Sequence, residues 1–161
     1  MTSLAFETLL WAGAIGFGLM AGVYAAFSGF IMASLAALAP AEGMRAMQSI
    51  NRVIVRSPFM LLFFATSAAA VVLAIMGLLG RGGPAALPAA IAGVLYALGM
   101  FGVTAAFNVP RNNRLEATPA DSAAAATVWD SYVREWTRWN TLRTAASTAA
   151  AALSVYALRL V

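Results

Sequence analysis

The stretch PFMLLFFATSAAAVVLAIMGLL, residues 58–79, carries no charge and leads directly into GRGGP, residues 80–84. An α-helix needs about 20 predominantly apolar residues to cross the hydrocarbon core of a bilayer. Proline is tolerated in the first turn of a helix, and the glycine-rich pentapeptide favours a tight turn. The stretch therefore predicts a transmembrane helix over about 58–79 that ends in a short connection.

Two further apolar runs flank this helix. The run at about 4–38 is longer than one bilayer crossing requires, so the first transmembrane helix should tilt, protrude or bend, and Ser28-Gly29 is the expected position of a kink. The run at about 85–109 predicts a third transmembrane helix. We expect Pro110 to end that helix, because proline rarely continues one.

The last element differs from these three because polar residues fill its first half. Thr118, Pro119 and Asp121 occupy the N-cap, N1 and N3 positions of a predicted helix that nothing interrupts before about residue 160. A helix over about 119–160 is roughly twice as long as the membrane is thick. We therefore expect its second half to cross the bilayer and its first half to form a long cytoplasmic extension.

The composition places the whole chain, residues 1–161, in one membrane domain. Of its residues 62% are hydrophobic and 10% are charged, whereas a soluble domain carries about 25% charged residues. Cysteine, histidine and lysine are absent and the six carboxylates are scattered. The usual ligands of zinc, copper, haem and iron–sulfur centres are therefore missing, and we expect neither a metal nor any other cofactor.

The ten arginines set the expected topology. They concentrate in the connection 40–57 and in the region 110–143, whereas the opposite side carries only Arg81 and Arg159. By the positive-inside rule, both long connections are cytoplasmic and both termini lie outside, in what we expect to be a bacterial inner membrane. Arginines at the ends of apolar runs favour anionic lipid headgroups, and not nucleic acid, as partners. The predicted fold is all-α, a four-transmembrane-helix up-down bundle.

An amphipathic helix is expected between the first two crossings, at about 42–55. Its apolar face includes one amide and comprises Met44, Met47, Ile50, Asn51 and Ile54. Its polar face carries Arg45, Gln48, Arg52 and Arg56. Such a helix suits the membrane interface, with its arginines toward lipid phosphates. Asn51 either hydrogen-bonds a neighbouring helix end or lines a polar pocket.

The stretch FNVPRNNRLEA, residues 107–117, holds more polar groups than a helix end needs. Termination accounts for Pro110 and Arg111, because proline stops the helix and arginine suits its C-terminal dipole. It leaves three amides unexplained, Asn108, Asn112 and Asn113. Asn51, Asn140 and Arg143 belong to the same predicted side of the membrane. Together these groups form either a structural hydrogen-bond network or a ligand site.

The fourth predicted helix carries an aromatic face with polar residues at its end. The side chains that share this face are Trp129, Tyr132, Val133, Trp136, Trp139, Asn140 and Arg143. Tryptophan and tyrosine favour the headgroup region, so one interpretation is an aromatic belt. The alternative is a site for a flat aromatic ligand, with Asn140 and Arg143 holding its polar groups.

Small residues form stripes on two helices, which favours close helix packing. One stripe comprises Ala14, Gly18, Gly22 and Ala26, and the other Ala89, Gly93 and Ala97. The pattern leaves open whether each contact lies within one bundle or between protomers, so a homo-oligomer through the Gly18 and Gly22 face is one expectation. Interhelical hydrogen bonds are expected from the polar side chains inside the apolar runs, Tyr24, Ser28, Thr66, Tyr96 and Thr104.

Three segments carry a resemblance to a known family. They are PAEGMRAMQSINRVIVRSPFM (residues 40–60), FNVPRNNRLEA (residues 107–117) and WDSYVREWTRWNTLRTAAS (residues 129–147). From about residue 18 to residue 153, the chain resembles the DUF1772 family, also called the anthrone oxygenase-like family. The resemblance implies a four-helix membrane protein with a polar motif at Asn51, Asn108, Pro110, Asn112, Asn113, Trp136, Trp139, Asn140 and Arg143.

The resemblance also implies an activity, because fungal members of the family oxidise anthrones to anthraquinones. The corresponding hypothesis is a cofactor-independent oxygenase of an electron-rich phenolic polycycle, in which Arg143 and Arg111 stabilise the enolate. The substrate-binding residues would be Asn51, Asn108, Asn112, Asn113, Trp136, Trp139 and Asn140. Most bacterial members, which this chain resembles, have no assigned activity. The alternative is therefore a non-enzymatic membrane protein that binds a lipid, a quinone or another small molecule, or that serves in a larger complex.

Overall fold

The computed structural model describes residues 4–161 as five helices, with no strand in that range. Helix α1 extends over Leu4–Ala36 and α2 over Pro40–Ile54. Helix α3 comprises Phe59–Leu78, α4 comprises Gly83–Glu116, and α5 comprises Ala125–Leu158. The predicted all-α class is confirmed.

Three of these helices, α1, α3 and α4, are long and apolar enough to cross a membrane. Helix α5 is long enough, with 34 residues, but it is less apolar because alanine, threonine and charged residues occupy much of it. Helices of this length and composition are characteristic of integral membrane proteins.

Helices α1 and α4 contain π-helical turns, which are uncommon and are frequent at functional sites. In α1 the π turn covers Phe27–Ile31, at the position where the sequence predicts a bend. In α4 two π turns follow one another at Ala97–Gly102 and Thr104–Asn108. Residues of both helices at these turns line the cavity described below.

The sequence predicts that helix α4 ends at Pro110, but in the structure it continues to Glu116. Pro110 directly follows the π turn Thr104–Asn108 and lies in the first turn of a new α-helical segment, Val109–Glu116. Proline is tolerated there because the first turn of a helix does not use its N–H groups. The π turn thus lets the helix pass the proline, and Asn112 lies on a helix and not in a loop.

The capping pattern predicts that helix α5 begins at Pro119, but in the structure it begins at Ala125. Residues 117–124 form turns, and the hydroxyl of Thr118 does not cap α5. An ion pair between Arg45 of α2 and Asp121 anchors these turns to α2. Tertiary contacts therefore override the local signal for a helix start, as they commonly do.

Gln48 lies on the buried side of α2 and not with the exposed arginines, where the sequence pattern places it. Its Nε2 donates to the carbonyl oxygens of Leu115, at 2.8 Å, and Thr118, at 3.0 Å. Carbonyl groups at the end of a helix lack partners within that helix. Gln48 therefore satisfies the end of α4 and fastens α2 to it.

Each of the four long helices packs on two others, since α1 and α4 both contact α3 and α5. The main core is apolar and includes Phe6, Leu10, Phe17, Met20, Leu73 and Tyr96. A second cluster joins α2 to α5 and contains Met32, Met44, Met47, Leu115, Trp129, Tyr132 and Trp136. An interhelical hydrogen bond of 2.8 Å, from the Tyr96 hydroxyl to Thr66 Oγ1, crosses the main core.

The small-residue stripe of α4 is buried against α3, whereas the stripe of α1 is open. A Cβ atom at Gly93 would collide with the Ala70 carbonyl oxygen and would lie 2.5 Å from the Ala74 amide nitrogen. Apart from the adjoining backbone of α1 itself, no atom of residues 4–161 lies within 4 Å of a Cβ at Gly18 or Gly22. Glycine at position 93 therefore permits the close approach of α3 and α4.

We expect Gly93→Ala to destabilise the fold by about 1–3 kcal/mol, the usual effect of forcing atoms into a well-packed interior. Gly18→Ala is the matched control for packing within one chain, and it should leave the stability of the detergent-solubilised monomer unchanged or slightly higher, since alanine favours helix. Thermal unfolding of the two purified variants measures the difference. Equal stabilities would contradict the close contact of the α3 and α4 backbones.

Candidate functional site

A cavity of about 320 Å³ lies beside α2, and all five helices contribute to its wall. The wall is largely apolar and rich in phenylalanine, namely Phe27, Phe59, Phe63, Phe64 and Phe101. Polar atoms come from a small set of residues, Tyr24, Asn51, Thr104, Asn112, Trp136 and Arg143. A mostly apolar cavity of this size with a few polar groups is typical of a small-molecule site.

Arg143 is the one charged residue in the cavity wall, and it is only 6% exposed. Its Nη1 donates to Thr104 Oγ1 at 3.1 Å, and its Nη2 donates to Asn140 Oδ1 at 2.6 Å. The guanidinium carbon lies 4.3 Å from the ring centroid of Tyr24 and 5.3 Å from that of Trp136. Cation–π contacts of this kind are strongest when the cation is removed from water.

No carboxylate of residues 4–161 forms an ion pair with Arg143. The ion pairs in that range join Arg45 to Asp121, Arg52 to Glu116, Arg111 to Glu135 and Arg134 to Asp130. The Nε of Arg143 also lacks a hydrogen-bond partner. A buried charge without a counter-ion is unfavourable, and aromatic contacts offset only part of that cost. Arg143 therefore favours an anionic group in the cavity.

Asn140 is completely buried behind Arg143 and does not line the cavity. Its Nδ2 donates to the carbonyl oxygen of Tyr24 and to Ser28 Oγ, both at 2.7 Å. Its Oδ1 is left to accept the hydrogen bond from Arg143. Asn140 thus ties α5 to the π turn of α1 and, through the same amide, orients the guanidinium group.

Three residues of the cavity wall carry a buried N–H donor without a partner. The atoms are Trp136 Nε1, Arg143 Nε and Asn51 Nδ2, of which the last lies near the Tyr132 hydroxyl but without hydrogen-bond geometry. We call Asn51, Trp136 and Arg143 the donor wall. Buried polar groups normally have partners, and an unpaired donor is costly. The donor wall therefore favours a ligand that carries hydrogen-bond acceptors.

Asn112 and Asn108 have different positions relative to the cavity. Asn112 lines it and accepts a hydrogen bond of 2.9 Å from the Tyr132 hydroxyl. Burial raises the pKa of Tyr132, so that hydroxyl stays protonated and remains a donor. Asn108 is buried outside the wall, where its Nδ2 donates to the Trp136 carbonyl oxygen at 3.3 Å.

The remaining predicted site residues, Arg111, Asn113 and Trp139, do not line the cavity. Arg111 pairs with Glu135 at 2.7 Å. Trp139 stacks on Phe107, with ring centroids 3.7 Å apart, and Asn113 is exposed. The structure thus brings Asn51, Asn112, Trp136 and Arg143 to one cavity, supports them with Asn108 and Asn140, and leaves the other three outside.

The sequence interpretation missed the aromatic half of the wall and the neighbours of Arg143. It assigned Tyr24 and Thr104 only to interhelical hydrogen bonds, whereas both contact the Arg143 guanidinium. Hydropathy does not distinguish a phenylalanine that faces lipid from one that faces a cavity. The available signal was the spacing of Phe59 and Phe63, which puts two rings on one face of α3.

Comparison with known proteins supports the resemblance seen in the sequence. A family model described as anthrone oxygenase matches residues 52–153. That range includes α3, α4, most of α5 and the site residues Asn112, Trp136 and Arg143, whereas Asn51 lies just before it. No match was found among curated proteins or solved structures. The matched range covers more than half of the chain, and the chain therefore belongs to the anthrone oxygenase family.

Proposed function

We propose that the protein is an oxygenase that binds a hydroxylated anthrone-type polycycle in this cavity and oxidises it with molecular oxygen, without a cofactor. The observation that carries this proposal is the position of Arg143, a buried cation without a carboxylate partner in an aromatic, apolar wall. The ligand that complements such a wall is a flat ring system with an oxygen anion at one edge.

The proposed reaction proceeds through the enolate of the substrate. An anthrone loses a proton from the methylene carbon of its central ring, and the negative charge reaches the oxygen across that ring. Fixed donors around a developing oxyanion lower the barrier to forming it. In this mechanism, the unpaired donor atoms of the donor wall, Asn51 Nδ2, Trp136 Nε1 and Arg143 Nε, donate to that oxygen. Molecular oxygen then adds at the carbon, where one oxygen atom becomes the new carbonyl and the other leaves as water with the two methylene hydrogens.

The cavity wall contains no carboxylate that could accept the proton. In the proposed mechanism, Arg143 lowers the pKa of the bound substrate because a nearby cation favours the anion. Water then carries the proton away. The protein thus contributes binding, charge stabilisation and orientation, and the substrate contributes its own acidity.

Oxidation of an anthrone in air by the purified protein tests the proposal. The absorbance of the quinone product should rise faster than in empty detergent micelles of the same concentration. Several phenolic anthrones should be compared, because the wall does not identify the ring substituents. A rate equal to that of empty micelles for all of them would refute the oxygenase.

Trp136→Phe should lower kcat/KM about tenfold, because it keeps an aromatic ring but removes one hydrogen bond to the anion. Trp139→Phe is the matched control, since Trp139 lies three residues further along α5 and outside the cavity. Initial rates of quinone formation measure both variants. A similar loss in the two variants would contradict a donor role for Trp136 Nε1.

The proposed membrane arrangement is the four-helix up-down bundle, with α5 as the fourth crossing and α2 in the cytoplasmic interface of a bacterial inner membrane. Its support is the packing of α5 on α1 and α4 and the exposed arginines of α2. Because the chain has no cysteine, single Arg81→Cys and Arg56→Cys variants report the orientation. An impermeant thiol reagent added to intact cells should label position 81 and not position 56. The reverse pattern would place both termini inside.

A homo-oligomer through the open face of α1 belongs to the same proposal. Gly18 and Gly22 have no neighbouring atoms within the described chain, so a second copy could approach them closely. Cysteine at position 18 should then form a disulfide-linked dimer in membranes under mild oxidation. Monomeric protein at all concentrations would remove this part of the proposal.

A non-enzymatic binding protein is the second candidate, and the absence of a proton acceptor from the cavity wall favours it. In that case Arg143 would hold a quinone oxygen or a lipid headgroup. Mass spectrometry of the purified protein should then find a bound quinone or lipid that Arg143→Met has lost. The purified unaltered protein would then oxidise an anthrone no faster than empty detergent micelles do.

A further inference from the structure

The cavity wall continues into the outer apolar surface on one side. The wall residues that are also exposed to the outside are Val55, Phe64, Phe101, Ala105 and Val109. Phe64 is 57% exposed, and Val109 is 42% exposed. The three of these on α4 recur every four residues and so follow one side of its π-helical stretch. The cavity therefore has a mouth whose rim is entirely apolar.

The mouth lies between α3 and α4. These helices are in close contact in the first part of α4, where Gly93 fits against the backbone of Ala70 and Ala74. Their contacts become sparse at the π-helical stretch, where the rings of Phe63 and Phe101 meet with centroids 5.7 Å apart. Beyond this ring pair the two helices separate, and the cavity occupies the space between them.

Helix α2 covers another side of the cavity. Met47, Ile50 and Ile54 of α2 are part of the wall. The ion pair of 2.7 Å between Arg52 and Glu116 and the two hydrogen bonds from Gln48 fasten α2 to the end of α4 and the segment after it. An entrance under α2 would require all of these contacts to break.

We infer that the ligand enters sideways from the hydrocarbon of the bilayer, through a portal between α3 and α4 rimmed by Phe64, Phe101 and Ala105. The identity of the ligand, a phenolic polycycle dissolved in the membrane, rests on the proposed function. The apolar rim suits a molecule that has already left water. In this proposal, the apolar portal selects for lipophilic substrates, and the donor wall selects for acidic ones.

Binding kinetics in lipid nanodiscs test the portal. The probe is a hydroxyanthraquinone, the non-reacting product analogue, and its fluorescence change is followed after rapid mixing. Ala105→Trp narrows the portal without changing the donor wall, so association and dissociation should both slow about tenfold while Kd stays nearly constant. Phe64→Ala widens the portal and should accelerate both rates. Ala106→Trp is the matched control, because Ala106 is exposed but lies outside the cavity.

The other possible outcomes distinguish failure of the portal from failure of the proposed oxygenase activity. Unchanged rates in both Ala105→Trp and Phe64→Ala would overturn the portal, and so would faster association after Arg52→Gln releases α2. If the unaltered protein does not bind the probe, the proposed function and the portal fall together. If it binds the probe but does not accelerate anthrone oxidation, only the oxygenase falls, and the same rates still decide the portal.

Discussion

Replacement of Arg143 by methionine is expected to remove the acceleration of anthrone oxidation while leaving the protein folded. Methionine keeps most of the length of the side chain but supplies no charge and no N–H donor. Loss of a single oxyanion donor typically lowers the rate by about 10²–10³. Quinone absorbance, corrected for the rate in empty micelles, measures this loss as kcat/KM.

The stability of Arg143→Met should change much less than its activity. Exchanging a buried charge for an apolar side chain of similar volume is often neutral or stabilising. Within residues 4–161, the exchange leaves no carboxylate unpaired, but it removes the donors to Asn140 Oδ1 and Thr104 Oγ1. We therefore expect the thermal unfolding temperature of Arg143→Met to stay close to that of the unaltered protein, because removal of the buried charge offsets the loss of these two hydrogen bonds. A stable but inactive variant separates a functional arginine from a structural one.

Two further variants complete this comparison. Arg138→Met is the control, because Arg138 is exposed on the same helix and its guanidinium carbon lies 6.0 Å from the centroid of the Trp139 ring. It should retain full activity. Arg143→Lys keeps the charge without the planar fork of donors, so it should recover only part of the rate. Full activity of Arg143→Met would end the proposal that this residue stabilises the enolate.

Asn140→Leu is expected to be the more destabilising change, lowering the free energy of unfolding by about 3 kcal/mol or more. The substitution removes the hydrogen bonds to the Tyr24 carbonyl oxygen and Ser28, and it also removes the acceptor for Arg143. The Tyr24 carbonyl oxygen and the Arg143 Nη2 then lose a partner in the interior, whereas Ser28 still accepts a hydrogen bond from Thr141. Thermal unfolding in detergent measures the loss, and activity should fall with it because Arg143 is no longer oriented.

Asn113→Leu provides the control for this prediction, since Asn113 is exposed on α4 and lies outside the network. Its unfolding temperature should not change. The double variant Asn140→Leu/Arg143→Met should lose less stability than the sum of its two single changes, because both single changes remove the same hydrogen bond. An unfolding temperature of Asn140→Leu equal to that of the unaltered protein would contradict the network.

The local sequence pattern predicted where the helices lie, but it predicted the end of α4 and the start of α5 incorrectly. Apolar runs of the required length and the glycine-rich turn after residue 79 predicted α3 and most of α1 and α4, because a membrane helix satisfies its own backbone. Pro110 was expected to stop α4, yet the preceding π turn allows the helix to continue. Thr118 was expected to cap α5, yet contacts of the following turns with α2 move the start to Ala125.

In the candidate site too, contacts within one helix could be predicted from the sequence, whereas contacts between helices could not. Asn140 and Arg143 are three residues apart on one helix, so their contact follows from helical spacing. The partners of this pair on α1 and α4 lie far away in the sequence. Sequence spacing also grouped Arg111, Asn113 and Trp139 with the site, whereas their positions on α4 and α5 direct them to other contacts.

The sequence by itself determined that this chain is an all-α protein with helices long and apolar enough to cross a membrane, that its arginines concentrate in residues 40–57 and 110–143, and that it resembles the anthrone oxygenase family. These properties depend on composition and on spacing along single helices. Only the tertiary structure decided which asparagines and aromatic rings share a cavity, that exposed residues of α3 and α4 belong to its wall, and that no carboxylate of residues 4–161 pairs with Arg143. The reason is physical, because burial and the pairing of charges depend on which helices pack together, and that packing joins residues distant in the sequence.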